Sequence, residues 1–301
     1  MTRHTIPVVL WLAFSLTLPA AQAPASKIIA PGAQVEKLAG DLGFTEGATV
    51  DRQGNVYFTD QPNDRIMKYD VDGHLTTFLQ PSGRANGMTF DEAGNLLAAA
   101  DETNALWSID MATKKPSVLV NGFDGKLLNG PNDIWVQPTT GRIYFTDPYY
   151  QRAYWTRGPK ESGESVYAYT RGDRQVIRVV DDMMQPNGII GTPDGKHLYI
   201  ADIRARATYV YDINADGTLS NKRKFCDVGS DGMTIDSQGN VYLSSRTVQV
   251  FDPNGQPIEN IAVPESPANL CFGGRDMQTL FITARTGLYA LRMQVKGVGP
   301  Q

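Results

Sequence analysis

Oxygen-bearing side chains recur along this 301-residue chain at a spacing far too long for one helix or strand: Glu46, Asn86, Asn132, Asn187, Asp231 and, in a more degraded setting, Asn269. The segments they open start 40, 46, 55, 44 and 37 residues apart, the sixth counted from Ala268. Two carboxylates and several amides, with no Cys or His among them, form a donor set for a hard cation. One divalent ion is expected, and Ca2+ fits best because it accepts six to eight flexible oxygen ligands; Zn2+, Mn2+ and Mg2+ are the other candidates. An Asn oxygen ligates without adding charge, so Glu46 and Asp231 alone balance the ion. A lone Asn-Gly or Asp-Gly would signify only a turn. Turn chemistry explains the glycines that follow several of these residues, but not Glu46, a poor turn former, at the same phase.

The remaining inventory excludes much of hydrolytic chemistry. The histidines are His4, His74 and His197, and the cysteines are Cys226 and Cys271. His4 falls in an N-terminal leader, and the other two histidines fall at outer-strand or bottom-turn positions. Ser-His-Asp and Cys-His hydrolysis are therefore dropped, and a metal-assisted route is left.

The elements that must carry the polar residues are hairpins. Glu46 to Asp60 reads as an apolar β run, a polar turn and a second β run; the pattern returns at 86–101, 132–147, 187–202, 231–245 and 268–284. In the first five the turn holds Gly54, Gly94, Gly141, Gly195 or Gly239. Two more short β runs follow most hairpins, as at Arg65–Asp70 and His74–Leu79. Four strands at this period predict an all-β, six-bladed β-propeller of antiparallel blades. The last unit supplies only three strands, ending near Met293, so a strand around 34–39 is expected to close the ring and remove the open sheet edges. Innermost strands line a propeller's channel, so their polar first positions should converge near its axis. A 17-residue insertion, Pro148 to Glu164, carries Tyr149, Tyr150, Tyr154 and Trp155 and should overhang the same mouth as a wall or lid. Mature tryptophans outside any Trp-Asp pair argue against WD40 repeats.

Composition bounds the partners. With 28 basic against 32 acidic residues the net charge is -4, which leaves no basic stripe for a nucleic-acid backbone. Arg3 and His4 precede an apolar run, Ile6 to Leu18, and then Ala23-Pro24-Ala25. This reads as a signal peptide over 1–25 and a propeller domain over 26–301, exported to the periplasm or medium and free of the membrane after cleavage. Monomer is the expectation, since a closed ring leaves few sheet edges. Cys226, in a peripheral strand, and Cys271, in an innermost one, should be two buried free thiols.

At these positions the chain resembles the SMP-30/gluconolactonase/luciferin-regenerating-enzyme family, the bacterial gluconolactonases in particular. The resemblance rests on Thr45-Glu46-Gly47, Gly130-Pro131-Asn132-Asp133, Gln185-Pro186-Asn187-Gly188, Asp231-Gly232-Met233 and Phe145-Thr-Asp-Pro-Tyr149, which follow the family's order across most of 40–290. It implies that Glu46, Asn132, Asn187 and Asp231 hold the catalytic divalent metal, usually calcium. It further implies hydrolysis of a small-molecule lactone, a sugar lactone such as gluconolactone. Animal members carry an Arg two residues before the metal-binding Asn, where this chain has Gly130; Arg84 comes instead from the preceding blade.

Asp231 is the expected catalytic residue, as proton acceptor, as orienter of the attacking water, or as nucleophile. Arg84, Asn86, Asn129 and Tyr149 are the expected substrate contacts. The competing reading is a non-catalytic extracytoplasmic propeller that binds protein or glycan, its channel plugged by a structural metal.

Overall fold

The computed structural model describes Met1 and residues 26–299 apart from 156, 157 and 159. Apart from Met1, the stretch read as a leader lies outside the described residues.

Six four-stranded antiparallel sheets surround one axis. The innermost strands are Thr45–Val50, Ala85–Phe90, Ile134–Val136, Pro186–Gly191, Met233–Ile235 and Pro267–Gly273, and each pairs with the next strand in sequence. The last blade runs Pro267–Gly273, Thr279–Ala284, Gly287–Arg292 and then Glu36–Ala39, the N-terminal strand pairing Glu36 with Ala290 and Lys37 with Tyr289. The expected closure is thus the observed one. Helix among the described residues is confined to the short turns Gln61–Asn63 and Asp101–Thr103, so no helix there is long enough to cross a membrane.

The hairpin turns form for a local reason. In Asp51-x-x-Gly54-Asn55 the carboxylate of Asp51 accepts the Asn55 amide N–H at 2.9 Å and the side-chain amide at 2.7 Å. Asp236-x-x-Gly239-Asn240 repeats the arrangement at 3.0 and 2.8 Å. An Asx side chain takes backbone donors that the tight reversal would otherwise leave unpaired.

The core lies between blades. Leu97, Ala99 and Leu106 of the second blade pack on Ile134, Ile143, Phe145 and Tyr167 of the third. Cys271 and Phe281 of the sixth pack on Val56 and Phe58 of the first. Each blade thereby fixes the angle of its neighbour, and the ring of inner strands becomes a rigid frame. Both thiols are buried and unbridged. His74 pairs with Asp70 at 3.2 Å and His197 with Asp212 at 3.0 Å, both away from the channel mouth as expected.

Candidate functional site

The polar ring forms where the first residues of neighbouring inner strands lie side by side. Glu46 and Asn86 lie within their strands, whereas Asn132 and Asp231 lie just before Ile134–Val136 and Met233–Ile235. The glycines beside these residues are not turn glycines, contrary to the sequence reading. Gly47 has φ of 59°, and a Cβ there would stand 2.0 Å from the Asn86 carbonyl oxygen; one on Gly232 would stand 2.2 Å from the Asn269 side chain. Close approach between neighbouring inner strands requires them, and the pairing register shifts just there, between Glu46 and Thr49. Backbone bonds then link blade to blade, Gly87 N–H to Asn132 O at 2.7 Å and Gly232 N–H to Ala268 O at 2.7 Å. Buried hydroxyls on the second strands finish the frame: Thr146 donates to the Asn187 carbonyl at 2.7 Å and Ser244 to that of Ala268 at 2.6 Å.

The side chains held by this frame are electrostatically unusual. Glu46 is buried, its Oε2 accepting from Gly47 N–H at 2.6 Å and Asn269 Nδ2 at 3.1 Å. Burial, reinforced by the charges of Asp231 and Asp133, drives its carboxyl well above the usual range. Asp231 keeps some contact with solvent, yet its carboxyl is enclosed enough that burial raises it; Asn187, Arg152 and Glu46 pull it partly back. Asp133, buried one residue past Asn132, is pushed up to about 7, again chiefly by burial. Asn86 Oδ1 and Asn187 Oδ1 are buried with no hydrogen-bond partner. An unsatisfied buried acceptor costs about 1–3 kcal/mol, so two of them beside crowded carboxylates need a positive partner.

That partner fits a cation. Among the described residues no trio of His, Cys, Asp and Glu gathers as a metal cluster. The donors here are instead two carboxylates and neutral amide oxygens, a set suited to calcium rather than to a softer ion. Glu46, Asn132, Asn187 and Asp231 could hold it. Asn269 differs from the other members: its amide nitrogen goes to Glu46 and its oxygen accepts Leu270 N–H at 2.7 Å, so it braces the ring. On the side of the ring away from the insertion, the channel continues as a cavity of about 140 Å³ bordered by Asp133, Ile134, Ile189, Met233 and, at its far end, Val298.

The insertion does reach the mouth. Tyr150 Oη accepts from Asn187 Nδ2 at 2.9 Å, turning that amide's oxygen away from the loop. Arg152 Nε donates to Asp101 Oδ2 at 2.9 Å, Tyr154 Oη donates to the same oxygen, and Trp155 Nε1 donates to the Asp101 carbonyl at 3.0 Å. One loop from the third blade is thereby fastened to the second and the fourth. Arg84 and Asn129 sit at its supports. Arg84 stacks on Tyr154 with its guanidinium carbon 4.6 Å from the ring centre and donates to the Pro62 carbonyl at 2.8 Å. Asn129 is fully buried and donates to the carbonyls of Asp147 and Gly163, each at 3.1 Å. Tyr149 is half-buried, 5.8 Å from Trp155 between ring centres. Asp133, Arg152 and Asp101 were not singled out for roles from the sequence, and Tyr150 was read only as part of the aromatic wall. Asp133 stood in the Pro-Asn-Asp motif, whereas the loop contacts leave no periodic signal.

Residues 44–286 match the model of the SMP-30/Gluconolactonase/LRE-like region. The gluconolactonase of Zymomonas mobilis is 30% identical over 293 residues, covering 87% of this chain and 82% of its own length. A gluconolactonase structure from Xanthomonas campestris superposes with a TM-score of 0.82 at 28% identity, over 88% of this chain and 91% of that one. The calcium-binding regucalcin of Agrobacterium tumefaciens shares the fold at 21% identity, with a TM-score of 0.75 over 90% of this chain and 96% of that one.

Proposed function

The chain belongs to the SMP-30/gluconolactonase/LRE-like family, and from that premise we propose that it is a divalent-metal-dependent hydrolase that opens a lactone ring, a sugar lactone such as gluconolactone. The observation that carries the reading is the ring itself, where two buried, unpartnered amide oxygens stand with Glu46 and Asp231 at the channel axis. Glu46, Asn132, Asn187 and Asp231 hold the ion, with Ca2+ the expected one. Bound there, it supplies Lewis acidity toward the lactone carbonyl.

The chain's own residues do the rest. Asp231 takes a proton from water as the water oxygen bonds to the carbonyl carbon. It returns that proton to the ring oxygen as the ester bond breaks, leaving a hydroxy acid. Tyr150 orients Asn187, and the insertion screens the mouth from bulk water. In this proposal Asn86, whose Oδ1 is unpartnered, and Tyr149 take substrate hydroxyls. The leader read over 1–25 makes the mature protein, beginning at Ser26, an exported one in this proposal, and the closed ring leaves it a monomer.

A panel of lactones assayed before and after chelation, with Ca2+, Zn2+, Mn2+ and Mg2+ returned singly, tests it. Hydrolysis lost on chelation and restored by one of these ions supports the proposal; full turnover by verified metal-free protein rejects it.

A further inference from the structure

Arginines in this protein are mostly paired. Arg65 meets Asp60 at 2.8 Å, Arg171 meets Asp91 at 2.6 Å, and Arg292 meets Asp276 at 2.6 Å. Against that habit, four exposed arginines make no side-chain hydrogen bond or ion pair among the described residues: Arg204, Arg206, Arg246 and Arg285. Arg174, in a turn at the opposite end of the third blade, is the other exposed arginine of this kind.

Their placement is not scattered. Arg204 and Arg206 occupy the turn after Asp202, whose strand partner is Pro186, next to Asn187. Arg246 follows Ser244 and Ser245, and the Ser244 carbonyl accepts the Asp231 N–H at 3.0 Å. Arg285 follows Ala284, and its own carbonyl accepts Thr45 N–H at 2.7 Å, next to Glu46. All four therefore rim the site-bearing end of blades four, five and six, an arc that starts at the blade next to the aromatic insertion and continues round the mouth away from it. Two acids on the same rim are already engaged: Asp227 pairs with Lys224, and Glu265 accepts Lys37 Nζ at 3.1 Å and Thr286 N–H at 2.9 Å. Asp41, exposed beside Leu42, whose N–H goes to the Thr286 carbonyl, is the one acid set against the four arginines without a partner among the described residues. Inside the rim, Arg152 is held through Nε by Asp101 with its guanidinium carbon 5.3 Å from the Tyr150 ring centre, and its terminal nitrogens make no hydrogen bond among the described residues. It lies within electrostatic reach of Asp231.

Four unpaired positive charges along one rim of a protein of net charge -4 make a local positive field that favours an anion. Resting on the lactonase reading above, we propose that the preferred substrate is an anionic lactone, one carrying a carboxylate, phosphate or sulfonate away from its ring carbonyl. The rim arginines draw it to the channel, and Arg152 receives its charged group. A neutral lactone gains nothing from the arc.

The test measures kcat/KM at low salt for gluconolactone and for the same lactone bearing a terminal carboxylate or a terminal phosphate. The wild type is compared with a protein combining Arg204→Gln, Arg206→Gln, Arg246→Gln and Arg285→Gln. The expected result is a wild-type preference for the charged lactones that falls on the order of tenfold in the variant and shrinks as salt is raised. The carboxylate and phosphate arms show which anion is favoured. Should the combined variant fail to fold, paired substitutions and the wild type's salt dependence read the same quantity. Turnover of gluconolactone with no preference for charge, or a preference unchanged in the variant, overturns this inference alone. No turnover of any lactone rejects the lactonase reading and this substrate class together.

Discussion

Glu46, Asp133 and Asp231 place three carboxyls around one axis, and burial raises all of them. Substitutions there separate ligation from proton transfer. Glu46→Gln keeps an oxygen but removes half of the charge that balances the ion, so calcium affinity measured by calorimetry should fall at least tenfold. Asn132→Asp retains the oxygen and adds charge, and affinity should hold or rise. Tyr150→Phe removes the acceptor that orients Asn187 and should weaken calcium binding less than Glu46→Gln does. The donor types at this scale were readable from the sequence, because a period of about forty residues returned an oxygen each time. Asn269 was readable only as a member of the set; that its amide braces Glu46 depends on rotamers no sequence pattern records.

At the scale of elements, hairpins and blades follow from local rules, namely period-two apolar runs, Asx-stabilised turns and a regular repeat. The same rules misjudged the glycines of the ring, because Asn-Gly is ambiguous between a turn and a close approach of two backbones until blade packing is known. The insertion was legible as a wall, but its fastening was not, since Asp101 lies some fifty residues before its partners Arg152 and Tyr154. Asp101→Ala should free that loop. Limited proteolysis within 148–164 should accelerate several-fold, and KM for a lactone should rise more than kcat falls. An unchanged digestion pattern would show that other contacts suffice to hold it.

The whole molecule should register the ring as a pH-dependent liability. Unfolded carboxyls ionise near pH 4, whereas those of Glu46, Asp133 and Asp231 hold their protons to higher pH when folded. The folded state then binds more protons than the unfolded one between roughly pH 4 and 7, so stability of metal-free protein falls as pH rises through that window. Calorimetry of chelated protein should show Tm declining across it, with saturating calcium restoring Tm most at the upper end. Closure is also a whole-molecule property: Glu36–Ala39 completes the last blade, so a chain beginning at residue 40 should lose cooperative unfolding. The most direct measurement of the central claim is the rate of gluconolactone opening by Asp231→Asn protein whose fold and calcium occupancy have been verified. The amide can ligate but cannot take a proton, so turnover should drop by about 10²–10⁴ relative to wild type. A calcium-loaded, folded Asp231→Asn variant that turns over at the wild-type rate would contradict the account.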